Sequence, residues 1–287
     1  RVRELHDPGG LPALHDANNT CWRKIKIKYT IKPKRRFRVP VYASSICPDK
    51  FIGKPLEEIM NLKVWEGNRR KKLGDLFDVK AESEGVKDEI ELHIIGDLRK
   101  VRMIGAEMTD GAIIIHGDVG MHLGEGMTGG IIIVHGDADS WAGCMMKGGK
   151  IEIHGSAGDY LAAPYRGSRR GMTGGTIIVH GDVGNEAGCY MRGGTIKIHG
   201  DAGEFAGIHM RGGEILIMGD SHGRPGASMI KGKIAICGHV SSVLPTFTIE
   251  DLREKVKICG ERIEGQFYLF EGDHAEGGSG RLYISRE

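Results

Sequence analysis

The sequence predicts an all-β fold, a right-handed parallel β-helix of about seven coils with an arm at each end. The first observation is a methionine column whose members are 19, 19, 26, 19, 19 and 19 residues apart. A glycine follows nine residues after every member of the column. Such a fixed period is typical of a solenoid, whose coils bury their apolar faces only by stacking on one another. The methionine column is Met108, Met127, Met146, Met172, Met191, Met210 and Met229.

A second observation identifies the strand in each coil. Aliphatic residues stand four and two positions before each of these glycines, as Ile196 and Ile198 stand before Gly200. This alternation of β-branched residues is typical of a strand, and we expect both side chains to point inward. The right-handed crossover is the default for parallel strands. The predicted organisation is a basic N-terminal extension (1–45), an arm with a short helix (46–89), the β-helix (90–240) and a C-terminal arm (241–287).

The residue between the two inward positions should face outward. We call four large aliphatic residues of this column the outer strip. Exposed apolar patches of that extent usually mark interfaces. We therefore expect another subunit, or the arms of the chain itself, to cover this face. The outer strip is Ile114, Ile133, Ile178 and Leu216.

Extra length is concentrated in the fourth repeat, and we call its excess segment, 162–171, the inserted loop. Cations in this loop and directly after three methionines form a second candidate site, which we call the basic row. Arginine and lysine at such positions suit an anionic ligand or an acidic partner, although a solvated edge explains them equally well. The basic row is Lys147, Arg166, Arg169, Arg170, Arg192 and Arg211.

The sequence predicts no catalytic, cofactor-binding or metal-binding residue on this chain. Its histidine row, His116, His135, His154, His180 and His199, should run parallel along a surface, whereas zinc ligands must converge. The segment 124–129 matches GxGxxG, but a strand follows it where a dinucleotide site needs a helix. The methionine column is expected to fill the interior, because methionine adapts to irregular gaps.

Composition limits the remaining classes. Forty basic and 38 acidic residues leave a net charge of +2, so no global field indicates nucleic acid or membrane. The cations of segment 21–45 fit either nucleic acid or an acidic partner protein. The six cysteines form no CxxC pair and are expected to be reduced thiols. We find neither an apolar run of about 20 residues nor a signal peptide, so we expect a cytoplasmic protein.

Four motifs carry a family resemblance: Pro48–Ile59, Leu73–Val79, Tyr165–Met172 and the tail Phe270–Tyr283. With the repeats, they make the chain closely resemble the C subunit of formylmethanofuran dehydrogenase, which is similar to the C-terminal β-helix of glutamate synthase. The resemblance implies a non-catalytic structural subunit of an archaeal oxidoreductase complex. Its partners would be a pterin-containing formate dehydrogenase-like subunit, an amidohydrolase-like subunit and iron–sulfur subunits.

The resemblance also implies the chemistry of the complex. CO2 is reduced at a molybdenum or tungsten pterin, and the formate condenses with methanofuran at a dinuclear metal centre, both in partner subunits. Methanofuran carries carboxylates, which the basic row could guide.

Two other functions are weighed against this one. A β-helical domain of a glutamate-synthase-like amidotransferase complex is the first alternative. A carbohydrate-active β-helix enzyme would need carboxylates clustered on one outward face. The aspartate column instead falls at turns and is expected to cap them: Asp97, Asp118, Asp137, Asp182, Asp201 and Asp220.

Overall fold

A computed structural model describes residues 26–82 and 89–286 of the chain. The first 25 residues of the predicted basic extension lie outside the described residues. The described part is nearly all-β, which confirms the all-β class. None of its helices has the length and apolar character that a membrane-crossing helix requires.

The repeats form a row of parallel strands in one thirteen-stranded sheet. Neighbouring strands stand in register, so that Ile132 pairs with Ile113 on one side and with Ile151 on the other. The same alignment continues through Ile177, Ile196, Ile215 and Ile234. The strands of this region are β6 (Glu89–Ile95), β7 (Val101–Arg102), β8 (Ala112–His116), β9 (Ile131–Val134), β10 (Lys150–Ile153), β11 (Thr176–Val179), β12 (Arg192–Ile198), β13 (Ala202–Glu204), β14 (Arg211–Ile217), β15 (Ser221–Gly223) and β16 (Lys231–Ile236).

The methionine column lies inside the coils. All seven methionines are fully buried, as are the aligned inward isoleucines, which confirms the predicted interior. Each methionine from Met108 to Met210 packs against a glycine of the next coil, and Met229 packs against Gly280 of the C-terminal arm. A Cβ added to Gly213 would lie 2.7 Å from Met191 Cε, and Gly213 has φ +91°. Both the space and the backbone conformation therefore require glycine there.

The turns of successive coils are tied by the aspartate column. Asp118 Oδ1 accepts a hydrogen bond of 3.0 Å from the backbone N–H of Asp137. Asp182 accepts one of 2.8 Å from Asp201, which in turn accepts one of 2.7 Å from Asp220. These carboxylates bond to the coil that follows them, which confirms that they cap turns.

The N-terminal region, which is the described part of the basic extension together with the arm, closes one end of the sheet. Its strand β1, in the extension, pairs in parallel with β6 and antiparallel with β5, so part of the extension continues the row of parallel strands. The arm is fixed by Asp49, which accepts a hydrogen bond of 3.0 Å from the backbone of Thr109. The elements of this region are β1 (Lys26–Pro33), β2 (Val41–Tyr42), α1 (Pro48–Phe51), α2 (Leu56–Met60), β3 (Lys63–Glu66), β4 (Arg69–Lys72), α3 (Leu73–Leu76) and β5 (Phe77–Ala81).

The C-terminal arm closes the other end. Its last strand, β19, pairs in parallel with β16, and an antiparallel hairpin of β17 and β18 follows at the sheet edge. The elements are β17 (Thr248–Ile258), β18 (Glu261–Gly272), a 3₁₀ helix (His274–Glu276) and β19 (Gly280–Ser285). Both arms thus add strands to the parallel row. The right-handed crossover, the count of seven coils and the four-part division stay predictions.

Candidate functional site

Three members of the basic row stand at the same point of the coil. The backbone N–H groups of Lys147, Arg192 and Arg211 each donate a hydrogen bond of 2.7–2.8 Å to a methionine carbonyl of the preceding coil. Their side chains are exposed. Within residues 26–82 and 89–286, no carboxylate forms an ion pair with any of the six members. The row therefore presents uncompensated positive charge.

The sheet adds a cation that the sequence reasoning missed. Lys231 is exposed and pairs in register with Arg211, so it continues the row by one coil. The residue directly after Met229 is Ile230, and Lys231 comes one position later. The one-residue offset hid this lysine from the column count. The available signal in the sequence was that Lys231 directly precedes a glycine, as Lys147, Arg192 and Arg211 do.

The inserted loop is anchored on the coils by Tyr165. The hydroxyl of Tyr165 lies 2.7 Å from both carboxylate oxygens of Glu125. Its ring stacks on His122 with centroids 5.3 Å apart. The neighbouring Arg166 donates a hydrogen bond of 3.2 Å to the Tyr160 hydroxyl and lies over that ring. The loop is thus held by several independent contacts.

The charge states of Glu125 and Tyr165, which anchor the inserted loop, follow from their contacts. Burial alone would raise the pKa of Glu125, but hydrogen bonds from His122 and Tyr165 outweigh it, and the pKa is lowered. Burial raises the pKa of Tyr165, and the Glu125 carboxylate raises it further. Glu125 is therefore an anion at neutral pH, and Tyr165 holds its proton and donates it.

The anchor belongs to an aromatic column that the sequence reasoning also missed. His122, Trp141 and Tyr160 are 19 residues apart and have φ of 62°, 61° and 63°. Ring centroids are 5.5 Å apart for His122 and Trp141, and 4.5 Å for Trp141 and Tyr160. The column follows the same period as the methionines. Its spacing could have revealed it, but its mixed residue types concealed it.

The side chain of Arg192 contacts the inserted loop directly. The guanidinium of Arg192 donates a hydrogen bond of 3.1 Å to the backbone carbonyl of Arg169. Arg169 and Arg170 are exposed at this junction. Arg166 instead points to Tyr160, and Thr173 separates Lys147 from Arg192 along the row. The structure therefore brings Arg192 to the backbone of Arg169, next to Arg170 in the sequence, with Lys147 and Arg211 further along the same edge.

The four residues of the outer strip differ in burial. Leu216 is 1% exposed and packs with Val256, Ile258 and Phe267 of the C-terminal hairpin. The other three members, Ile114, Ile133 and Ile178, are half-buried and lie outside that cluster. One part of the strip is covered by the arm of the chain itself. Coverage of the remaining part by a partner stays a prediction.

Two groups of side chains could hold a metal ion among the described residues. In each, one atom per residue lies within 4.8 Å of the others. The first group is His122, Glu125 and Cys144. There the Tyr165 hydroxyl already donates a hydrogen bond to the Glu125 carboxylate, and burial raises the pKa of the Cys144 thiol to about 12. The second, Glu152, His154 and His180, is more exposed. Sequence reasoning expected no convergence in the histidine row, and this second group converges.

The cysteines of the described part lie apart from one another. Four of the five are buried, and none is disulfide-bonded. Neither potential ligand group contains more than one cysteine, whereas an iron–sulfur cluster needs several thiolates. The placement of the cofactors in partner subunits stays a prediction.

Fold and site together define an all-β protein built on a row of in-register parallel strands, with a cationic edge and a half-covered outer face. No protein-family model matches the chain. It is 44% identical over 96 residues to the C subunit of the tungsten-containing formylmethanofuran dehydrogenase 2 of Methanothermobacter wolfeii, a match that covers 33% of this chain and 36% of that protein. It is 38% identical over 91 residues to the C subunit of the molybdenum-containing enzyme 1 of Methanosarcina barkeri, covering 32% and 30%.

A solved structure matches much more of the chain. It is the crystal structure of the formyltransferase/hydrolase complex FhcABCD of Methylorubrum extorquens with methylofuran, at 28% identity and a TM-score of 0.79. The match covers 90% of this chain and 100% of that one. The chain spans about a third of the length of the curated relatives it matches. These comparisons confirm the resemblance to the C subunit of formylmethanofuran dehydrogenase.

Proposed function

We propose that this chain is the solenoid subunit of a formylmethanofuran dehydrogenase complex, and that it carries no catalytic residue of its own. The similarity to named C subunits, together with a structural match over nearly the whole chain, carries the proposal. The complex would reduce CO2 and attach it to methanofuran as a formyl group, or run in reverse. The molybdenum or tungsten pterin, the iron–sulfur clusters and the dinuclear metal centre would lie in partner subunits.

The residues of this chain support a role in assembly. The interior of the described repeats is filled by aliphatic and methionine side chains. On the outer face, Ile114, Ile133 and Ile178 form an apolar line that the described part of the chain does not bury. Exposed aliphatic lines of this kind are expected at interfaces between subunits. We assign this part of the face to a pterin-containing or amidohydrolase-like partner.

The basic row supports a second element of the proposal. Arginine binds carboxylates bidentately and stays charged at any physiological pH. Arg192 contacts the backbone of Arg169 in the anchored inserted loop, and neither these two arginines nor Arg170 is neutralised by a carboxylate of the described part. We propose that this edge holds the carboxylate tail of methanofuran between the two partner active sites.

Native co-purification tests the assembly proposal. A tag on this chain should recover a pterin enzyme, an amidohydrolase-like subunit and iron–sulfur subunits in fixed proportion. Recovery of flavin and iron–sulfur subunits of a glutamate-synthase-like enzyme would favour that alternative. Recovery of the chain alone would contradict both.

Charge removal tests the role of the basic row. The double variant Arg192→Gln/Arg211→Gln should weaken the affinity of the intact complex for methanofuran and reduce the dependence of that affinity on salt. The control is Arg262→Gln, which removes an exposed cation on the hairpin that is paired with Glu264. Equal affinity and equal salt dependence in all three proteins would show that the row does not contact the substrate.

A further inference from the structure

The second ligand group lies on two adjacent strands of the outer face. Glu152 is in β10, and His154 follows two residues later, so both side chains project from the same face. His180 directly follows β11, which pairs with β10 in parallel. The two histidines come from the coils that flank the inserted loop. A ligand bound by all three would join these coils.

The distances suit a small cation. Glu152 Oε1 lies 3.1 Å from His180 Nε2 and 3.7 Å from His154 Nε2. Zinc bound tetrahedrally at 2.0–2.1 Å separates its ligand atoms by about 3.4 Å. The other carboxylate oxygen, Oε2, is 2.7 Å from Lys150 Nζ, which holds the carboxylate in place. Small side-chain rotations would therefore bring the three atoms to one metal.

The second ring nitrogen of His154 has a neighbour of its own. Its Nδ1 lies 3.2 Å from Nδ1 of His135. In the tautomer that carries its proton on Nδ1, that N–H would donate to His135 and Nε2 would keep a lone pair for a metal. Histidines that bind metals usually donate their second ring N–H to a carboxylate, a backbone carbonyl or water, and the His135 ring would take that place here. The rings of His154 and His180 are nearly perpendicular, at 87°, so they do not simply run parallel along the surface.

We infer that Glu152, His154 and His180 form a binding site for a divalent transition metal such as Zn2+, completed by water. A two-histidine, one-carboxylate set is a donor combination that Zn2+ accepts. The histidine side chains are 42% and 41% exposed, so the ion can enter from solvent. This departs from the sequence prediction that the histidine row binds no metal. All three ligands belong to this chain, and Glu152 stands between Ile133 and Ile178 in the sheet, on the face that the proposed partner would cover, so the site is tested on the isolated chain.

The coil that carries His199 shows why the site does not extend along the whole histidine row. In register with Glu152, beyond Ile178, stands Lys197, which pairs with Glu261 of the hairpin. His199 therefore has a cation where His154 has a carboxylate. It is the natural control, since it belongs to the same row and lacks the acidic ligand.

The test is Zn2+ titration of the isolated full chain by calorimetry, with Co2+ absorption reporting the ligand geometry. The double variant His154→Ala/His180→Ala should bind one equivalent fewer than wild type. Glu152→Gln, which preserves side-chain shape, should raise the Kd at least about tenfold. His199→Ala should leave stoichiometry and affinity unchanged. The difference in stoichiometry between wild type and the double variant separates this site from any metal held at Cys144.

Circular dichroism checks that each variant is folded, and if the double variant is not, Glu152→Gln decides. Unchanged stoichiometry in the folded double variant would overturn the inference, as would unchanged affinity in Glu152→Gln. An equal loss in His199→Ala would overturn it too, because the whole row would then bind metal without the carboxylate.

Discussion

The two halves of the outer face differ although the coils beneath them are the same. Under the C-terminal hairpin, Leu216 and Ala235 are fully buried and form a second apolar cluster. Further along the same sheet, Ile133 and Ile178 occupy equivalent register positions and remain half-buried. One half is completed by the chain, and the other offers the same kind of surface to a partner. The comparison teaches that burial of this face depends on what covers it and not on the repeat.

The largest expected difference is between aspartate substitutions in the two halves. Leu216→Asp would place an unpaired charge under the hairpin and should lower the free energy of unfolding by about 4 kcal/mol. Ile178→Asp should change it by less than about 1 kcal/mol in the isolated chain, because solvent reaches that position. Chemical denaturation of both variants gives the comparison. Equal losses would show that the halves do not differ.

Substitutions in the interior of the coils should have the same effect on stability in both halves. A Cβ at Gly130 would lie 2.5 Å from Met108 Cε, and a Cβ at Gly213 would lie 2.7 Å from Met191 Cε. Both glycines have positive φ. Each glycine-to-alanine variant should therefore cost about 3 kcal/mol. Gly167→Ala is the control, since it has a positive φ but nothing within 4 Å. A marked difference between Gly130→Ala and Gly213→Ala would contradict a uniform interior.

The inserted loop lies beside the uncovered half, and Tyr165 supplies one of the contacts that hold it. Tyr165→Phe removes a hydrogen bond to an ionised carboxylate and should cost about 2 kcal/mol. Hydrogen exchange should rise in segment 162–171 and stay unchanged in the hairpin. Phe205, which lies against Arg224 on another coil, offers Phe205→Leu as a control that should leave the loop protected. Unchanged protection in Tyr165→Phe would mean that the anchor is elsewhere.

Acid should weaken the contact between the sheet and the hairpin in the covered half. Glu214 accepts a hydrogen bond of 2.6 Å from the backbone of Cys259, at the tip of the hairpin. Burial would raise the pKa of Glu214, but the bonds from Lys233 and Cys259 lower it below its ordinary value of 4.5. A lowered pKa means that the carboxylate stabilises the fold above pH 4.5, and that this contribution is lost as pH falls below it.

We expect an effect of about 1 kcal/mol, since the Glu214 side chain is 29% exposed. Unfolding measured from pH 7 down to pH 3 should show a stability difference between wild type and Glu214→Gln that narrows with acid. A difference that stays constant over this range would rule out the titration of Glu214 as its cause.

The sequence predicted the regular part of the fold well because one period governs it. Met191, Ile196 and Ile198 follow from spacing alone, since each coil repeats the environment of its neighbours. The arms could not be predicted in this way. The pairing of β1 with β6 and the hairpin over Leu216 join segments far apart in sequence, and no period relates them.

The candidate sites, like the fold, could be predicted only where the repeat period determines them. The exposed positions of Lys147, Arg192 and Arg211 followed from the column. The contact between Arg192 and the Arg169 carbonyl depends on how the inserted loop folds back, which its sequence does not specify. The convergence of Glu152 with His180 depends on side-chain rotation between strands. Periodicity fixes which strand faces a residue, but not the direction in which its side chain turns.

The most direct test of the account is the native mass of the assembly purified through this chain, for wild type and for Ile133→Asp/Ile178→Asp. The account predicts that wild type is recovered in a complex with several other subunits. It predicts that the variant is folded, with an unfolding midpoint close to that of wild type, and is recovered as the 31.3 kDa chain without partners. A variant that assembles like wild type would contradict the claim that the uncovered half of the outer face binds a partner subunit.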